Sequence, residues 1–243
     1  MKILVTNDDG IFTDGIIGLA KWAKKLGDVT VIAPKVEQSG KSHSITLGKP
    51  YEILKVDYPE NIEAYSVDST PADCVRFAYL GLKKKFDLVL SGINQGMNLG
   101  NDIAYSGTNG AVFEAMYHNT KAIAYSTDFG PFDAAFENLD RVYDIIDKND
   151  LFRYANIFNV NIPLEVKGVK ITKQGGRTYS DHYENVGGNM YRAVGDWARI
   201  KTDDNTFDNQ AVVNGYISIT PLTVKRHVVD AYDKIIKEVD LNL

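Results

Sequence analysis

Short apolar runs alternate with stretches in which apolar residues recur every three or four positions, and this alternation organises the first two thirds of the chain. The run Lys2-Ile3-Leu4-Val5-Thr6 stops at Asn7-Asp8-Asp9-Gly10 and reads as a buried strand ending in a turn. Ile16, Leu19, Ala20, Ala23 and Leu26 then mark a helix whose Lys21, Lys24 and Lys25 fall on the solvated face. Val29 to Ala33, closed by Pro34, is a second buried strand; strand, helix and strand this close together predict a parallel pair with a right-handed crossover. Residues 37 to 48 form a polar Ser/Gly loop at the end of that strand. Tyr51 to Tyr58 and Ala64 to Val67, split around Pro59, predict short strands on an edge or excursion.

Thr70-Pro71 opens a helix with a capping hydroxyl and a proline at its first position, and Val75, Ala78, Tyr79 and Leu82 form its apolar face. Phe86 to Leu90 is a third buried strand, followed by a loop from Ser91 to Asp102. Glycines 92, 96 and 100 in that loop predict backbone lying close to a ligand. Tyr105-Ser106-Gly107-Thr108 leads into a helix bearing Val112, Ala115 and Met116; Ile123 to Tyr125 is a fourth strand, and Phe132, Ala135, Phe136, Leu139, Tyr143 and Ile146 mark an amphipathic helix. Ile157 to Ile162 is a fifth strand, stopped by Pro163. Beyond residue 164 the texture changes: glycine pairs at 175/176 and 187/188 predict hairpins, residues 215 to 222 a late strand, and Val228, Tyr232, Ile235, Ile236 and Val239 a C-terminal helix. The expected fold is α/β, with a mostly parallel, helix-flanked sheet in residues 1–163 and an elaboration of hairpins, late strand and helix in residues 164–243.

Composition narrows the field. A chain of 243 residues, 44% hydrophobic and 24% charged, can bury a sizeable core. A net charge of −5 disfavours a nucleic-acid polymer held by bulk electrostatics. No apolar stretch approaches ~18 residues, so neither a membrane span nor a signal peptide is expected, and cytoplasm is the expected compartment. Cys74, the single cysteine, lies in an apolar helical pattern and reads as a small buried hydrophobe.

Three loops at the carboxyl ends of parallel strands would converge on one edge of the sheet, bringing Asp8, Asp9, Ser39 and Asn94. All four offer oxygen, which suits a hard cation such as Mg²⁺ or Mn²⁺ rather than zinc. Each also has an ordinary reading, since Asn-Asp-Asp-Gly is a common turn and Ser39 and Asn94 suit loops. Other phosphate motifs are excluded: Gly40-Lys41-Ser42 lacks its leading glycine because Lys35 stands there, and no Gly-x-Gly-x-x-Gly exists. His43, His118, His182 and His227 show no zinc-protease spacing and read as surface or polar-core residues. Ser106-Gly107-Thr108 at a helix N-terminus suits an anion, or a plain N-cap.

Taken together, Asn7-Asp8-Asp9-Gly10, Ala33-Pro34, Gln38-Ser39-Gly40-Lys41-Ser42, Thr70-Pro71-Ala72-Asp73-Cys74-Val75, Ser91 to Asn94, Gly96-Met97-Asn98-Leu99-Gly100, Asp102, Tyr105 to Thr108 and Gly215 to Leu222 resemble the SurE survival proteins, metal-dependent 5′/3′-nucleotidases. The resemblance implies a Rossmann-like core whose C-terminal segment is exchanged between subunits in a homodimer or tetramer. It implies one divalent cation per subunit on Asp8, Asp9, Ser39 and Asn94, with Asp8 and Asp9 catalytic. It further implies hydrolysis of nucleoside 5′- and 3′-monophosphates, with substrate phosphate contacted by Asn98 and Ser106 beside Gly107 and Thr108. Ser69 and Asn109 depart from the family's usual glycine and small apolar residue, and residues 176 to 210 match poorly. Two rival readings share some of these features. A receiver-like signalling module also binds Mg²⁺ through an acidic pair after its first strand, but needs an aspartate at the end of the third, where this chain has Ser91 and Asn94. A nucleotide-binding module without turnover would keep the phosphate loops and not need both carboxylates.

Overall fold

The computed structural model describes residues 1–197, 202–225, 227 and 229–238. Its centre is a nine-stranded sheet. In chain order the main elements are β1 (Lys2–Thr6), α1 (Asp14–Ala23), β2 (Asp28–Pro34), β3 (Ile53–Val56), β4 (Glu63–Val67), α2 (Pro71–Arg76), β5 (Leu88–Gln95), α3 (Gly107–Tyr117), β6 (Lys121–Thr127), α4 (Asp133–Lys148), β7 (Ile157–Ile162), β8 (Gly168–Ile171), β9 (Tyr179–Gly187), β10 (Met190–Trp197), α5 (Asp208–Val213), β11 (Tyr216–Leu222) and α6 (Val229–Glu238). The sheet order is β3-β4-β2-β1-β5-β6-β7-β11-β8, and β9 and β10 form a separate two-stranded sheet.

The strands from β4 to β7 in that order are parallel. Both faces are covered, which explains why their sequences are continuous apolar runs rather than alternating ones. Along β1, Ile3 and Val5 enter the core under α1 and α4, while Leu4 enters the opposite core with Cys74, Val75 and Ala111. Each such buried aliphatic side chain contributes about 1.5–3 kcal/mol. Cys74 is a fully buried free thiol, held in its protonated form by burial. No described helix is long and apolar enough to cross a membrane.

Several expectations change. Tyr51 to Tyr58 does contain the edge strand, β3, but β4 lies inside the sheet, parallel to β2. The strand expected to end at Leu90 continues to Gln95, because Asn94 and Gln95 resume pairing with Ser126 and Thr127 after an irregularity. Glycines 92 and 100 answer to the chain itself rather than to a ligand: a Cβ on Gly92 would stand 2.3 Å from the Tyr125 carbonyl oxygen, and one on Gly100 would stand 1.9 Å from that of Gly176. The 175/176 pair makes no hairpin; Gly175 N–H donates to Asp208 Oδ1 at 2.8 Å, and Gly176 abuts Gly100. The 187/188 pair does close the β9–β10 hairpin. After Pro163 the direction reverses, so that β11 is antiparallel to β7 and carries β8 at the far edge. Val228 and Val239, expected in the C-terminal helix, lie outside the described residues.

Candidate active site

Asp8 and Asp9 follow β1, Ser39 follows β2, and Asn94 stands near the end of β5, so three neighbouring parallel strands bring these residues to one edge. A cavity of about 350 Å³ there is lined by Asp8, Ser39, Asn94, Asn98 and Ser106. Asp9 lines an adjoining cavity of about 570 Å³ that shares Ser39, Gln95 and Phe129 with the first. Neither cavity has a lysine, arginine or histidine among its described lining residues.

Asp8 is only 4% exposed. Its Oδ1 accepts a hydrogen bond from Thr108 Oγ1 at 2.6 Å, and α3 approaches so closely that a Cβ on Gly107 would lie 2.9 Å from Asp8 Cβ. Burial pushes the Asp8 carboxyl up to about 7; the Thr108 hydrogen bond opposes this and the charge of Asp9 adds to it. Asp9 is also raised, by burial against the opposing Gln95 N–H and with the help of Glu37. Two desolvated carboxylates with no basic partner among the described residues form a site that is unfavourable until a cation joins it.

The donor set fits such a cation. Asn94 Nδ2 donates to the Gly96 carbonyl at 2.7 Å, which fixes the amide and leaves Oδ1 as the end available to a metal. Ser39 Oγ donates to Glu37 Oε1 at 2.7 Å. No group of three or more His, Cys, Asp or Glu residues placed to hold a metal occurs among the described residues. Protein ligation would therefore come from two carboxylates and neutral oxygens, with positions left for water and substrate, as suits Mg²⁺ or Mn²⁺.

Ser106 caps α3, accepting from Asn109 N–H at 3.0 Å, and still lines the cavity. Thr108 is fully buried behind Asp8 with its hydroxyl committed there, so its place is not on the cavity wall. Gly107 is buried too, where its lack of a side chain admits Asp8. Asn98 is held on all sides. Its N–H donates to Asn161 Oδ1 at 2.8 Å, its carbonyl accepts from Asn159 Nδ2 at 2.7 Å and Asn161 Nδ2 at 2.9 Å, and its own Nδ2 reaches Ser126 Oγ at 2.8 Å. The sequence reading missed Asn159, Asn161 and Ser126, as well as Glu37 and Gln95. The signal was present in β7, where Asn-Val-Asn interrupts an otherwise apolar strand. The histidines lie elsewhere: His43 contacts buried Glu114 at 2.9 Å, and His118 stacks on Tyr79.

These shifts set a pH dependence. Asp8 binds a proton more tightly folded than unfolded, so its contribution to stability is fully present below about pH 4 and is lost as pH rises to about 7. Asp9 acts in the same direction. In chelator, the protein is expected to lose about 2 kcal/mol of stability between pH 5.5 and pH 7 from this source. Thermal unfolding across that range measures it, and added Mn²⁺ should flatten the slope, since metal binds the deprotonated form. A flat profile in chelator would contradict the buried, unneutralised carboxylate.

Comparison with known proteins identifies relatives of this chain. Residues 3–181 match the family model described as survival protein SurE. A 5′-nucleotidase SurE from Thermosipho melanesiensis is 39% identical over 92% of this chain and 92% of its own length. One from Petrotoga mobilis is 38% identical over 97% of this chain and 98% of its own. The crystal structure of the SurE protein from Aquifex aeolicus superposes with a TM-score of 0.78 at 35% identity, covering 99% of this chain and 100% of that one. With a family model covering residues 3–181 and relatives matched along nearly their whole length, the chain belongs to the SurE survival protein family.

Proposed function

We propose that this protein is a divalent-metal-dependent phosphomonoesterase that hydrolyses nucleoside 5′- and 3′-monophosphates to nucleoside and phosphate. The observation that carries this reading is the pair of desolvated carboxylates, without a basic partner among the described residues, that line two adjoining cavities, with Asp8 against the first turn of α3. The activity for which the relatives are named, 5′-nucleotidase, agrees with it. Asp8, Asp9, Ser39 and Asn94 would hold one Mg²⁺ or Mn²⁺ per subunit. When bound, that cation supplies positive charge to the phosphoryl oxygens and lowers the pKa of water.

The remaining work belongs to the chain. Thr108 holds Asp8 in one orientation, and Ser106 and Asn98 line the space for the phosphoryl group. The N-terminal end of α3 adds the positive pole of its dipole. The attacking group in this reading is water; acid-quench trapping of an aspartyl-phosphate would overturn that step. Phosphate release from a panel of 5′- and 3′-nucleoside monophosphates, with Mg²⁺ or Mn²⁺ and with chelator, tests the whole reading. Chelator-sensitive release is expected, and no release with either cation would reject it.

Thr108→Val gives a finer test. The variant keeps the shape and removes the donor to Asp8, so the apparent affinity for Mn²⁺ at pH 7 is expected to fall about tenfold, with turnover at saturating Mn²⁺ less affected. An unchanged Mn²⁺ dependence would remove Thr108 from the site. We further infer self-association as a homodimer or tetramer, supported by exposed Tyr183, Val186, Met190 and Tyr191 on the β9–β10 hairpin and exposed Tyr232 and Ile235 on α6.

A further inference from the structure

We propose that the cavity between Phe12 and Phe129 receives the base of the nucleoside monophosphate. The inference rests on the phosphomonoesterase reading above and adds the subsite that would make it selective for nucleotides over other phosphate esters. Phe12 lies in the turn after β1 and is 58% exposed; Phe129 follows β6 and is 71% exposed. Two large rings left open to water on one cavity are costly unless something planar and apolar covers them.

The rings are held for that purpose. Phe12 is backed by Tyr58, stacked with centroids 6.0 Å apart and planes 29° from parallel. Phe132 forms another wall and is stacked on Phe136 at 5.7 Å. Phe129 lies over Gly96, where an added Cβ would come within 3.3 Å of its ring. It therefore stands at the seam between this cavity and the one containing Asp8. A phosphate beside Asp8 and a base among the phenylalanines would place the sugar at that seam, next to Ser39 and Gln95. Gln95 Nε2 donates to the Gly130 carbonyl at 2.8 Å, which leaves its Oε1 to accept from a sugar hydroxyl.

Charge selects the occupant. Among the described residues, the ionisable ones lining the cavity are Asp9, Asp14 and Glu37, all acidic. A second phosphate there would be repelled, whereas a neutral base stacks on the rings and its edge N–H groups can donate to carboxylates.

Steady-state kinetics with Mn²⁺ on AMP and on ribose 5-phosphate, which lacks only the base, would test this. The native enzyme is expected to prefer AMP by about 10- to 100-fold in kcat/KM, the usual effect of stacking a base. In the Phe12→Ala/Phe129→Ala variant that preference should collapse toward parity, and adenosine should lose its competition with AMP. A variant that keeps the preference overturns the proposal. So does collapse in Tyr105→Ala instead, since Tyr105 lines the Asp8 cavity and not the one lined by Phe12. If no phosphate ester is hydrolysed, the phosphomonoesterase reading fails on its own, and calorimetric titration of adenosine decides the subsite. Binding to the native protein that is lost in the phenylalanine variant supports it; no binding to the native protein rejects it.

Discussion

Asp8→Asn is expected to reduce phosphate release from nucleoside monophosphates by about 10³-fold or more while raising the thermal stability of the metal-free protein at pH 8. Both effects have one cause. The native carboxylate is buried at 4% exposure, against Thr108 and the first turn of α3, and burial raises its carboxyl to about 7. At pH 8 it is ionised in a place that disfavours charge, and the asparagine amide removes that charge with little change of shape. The same charge is what would hold a divalent cation, and loss of a cation's stabilisation of developing phosphoryl charge is worth several kcal/mol, or about 10³-fold in rate. A site that destabilises its own fold in order to bind a ligand shows this trade-off. Phosphate release and thermal unfolding of the one variant decide it: near-native turnover would remove Asp8 from the chemistry, and an unchanged midpoint in chelator would remove the desolvation argument.

Gly92→Ala is expected to cost about 3–5 kcal/mol, enough to lower the melting midpoint by about 6–20 °C in a domain this size. Gly92 has φ +129°, a conformation that a residue with a Cβ rarely adopts. The added methyl would also stand 2.3 Å from the Tyr125 carbonyl oxygen and 3.1 Å from the Asn94 amide nitrogen. Neither neighbour is a flexible side chain; one is the backbone of β6 and the other the backbone of β5 itself. Relief therefore requires moving a central strand of the sheet, and that movement carries Asn94 with it. Thermal unfolding measures the cost, and a loss below roughly 1 kcal/mol would show that β5 and β6 can part here without strain.

Most of the architecture was legible because both faces of the parallel sheet are covered. Runs such as Ile3-Leu4-Val5 and Val31-Ile32-Ala33 have to be apolar throughout, and the helices between such strands carry stripes at helical spacing. The site was legible for a related reason, since strands of one direction deliver their following loops to one edge, where Asp8, Ser39 and Asn94 meet. What escaped was set by partners distant in sequence. Ser91 to Gln95 is polar and glycine-containing, and pairing with β6, a partner distant in sequence, keeps its far end extended. Gly175 resembles half of a turn until Asp208 is seen accepting its N–H. Thr108 reads as a phosphate ligand by its position at a helix start, yet Asp8, a hundred residues earlier, claims its hydroxyl. Asn159 and Asn161 act through the backbone of Asn98, a pairing that no local pattern encodes.

That last arrangement governs how the segment after β5 behaves. Asn98 is neither helix nor strand, yet β7 grips both its N–H and its carbonyl through the amides of Asn159 and Asn161. A loop anchored in this way gives up its conformational freedom once, when the sheet assembles. A substrate arriving later meets a wall already in position, and the entropy that a floppy loop would surrender at every encounter is not charged against binding.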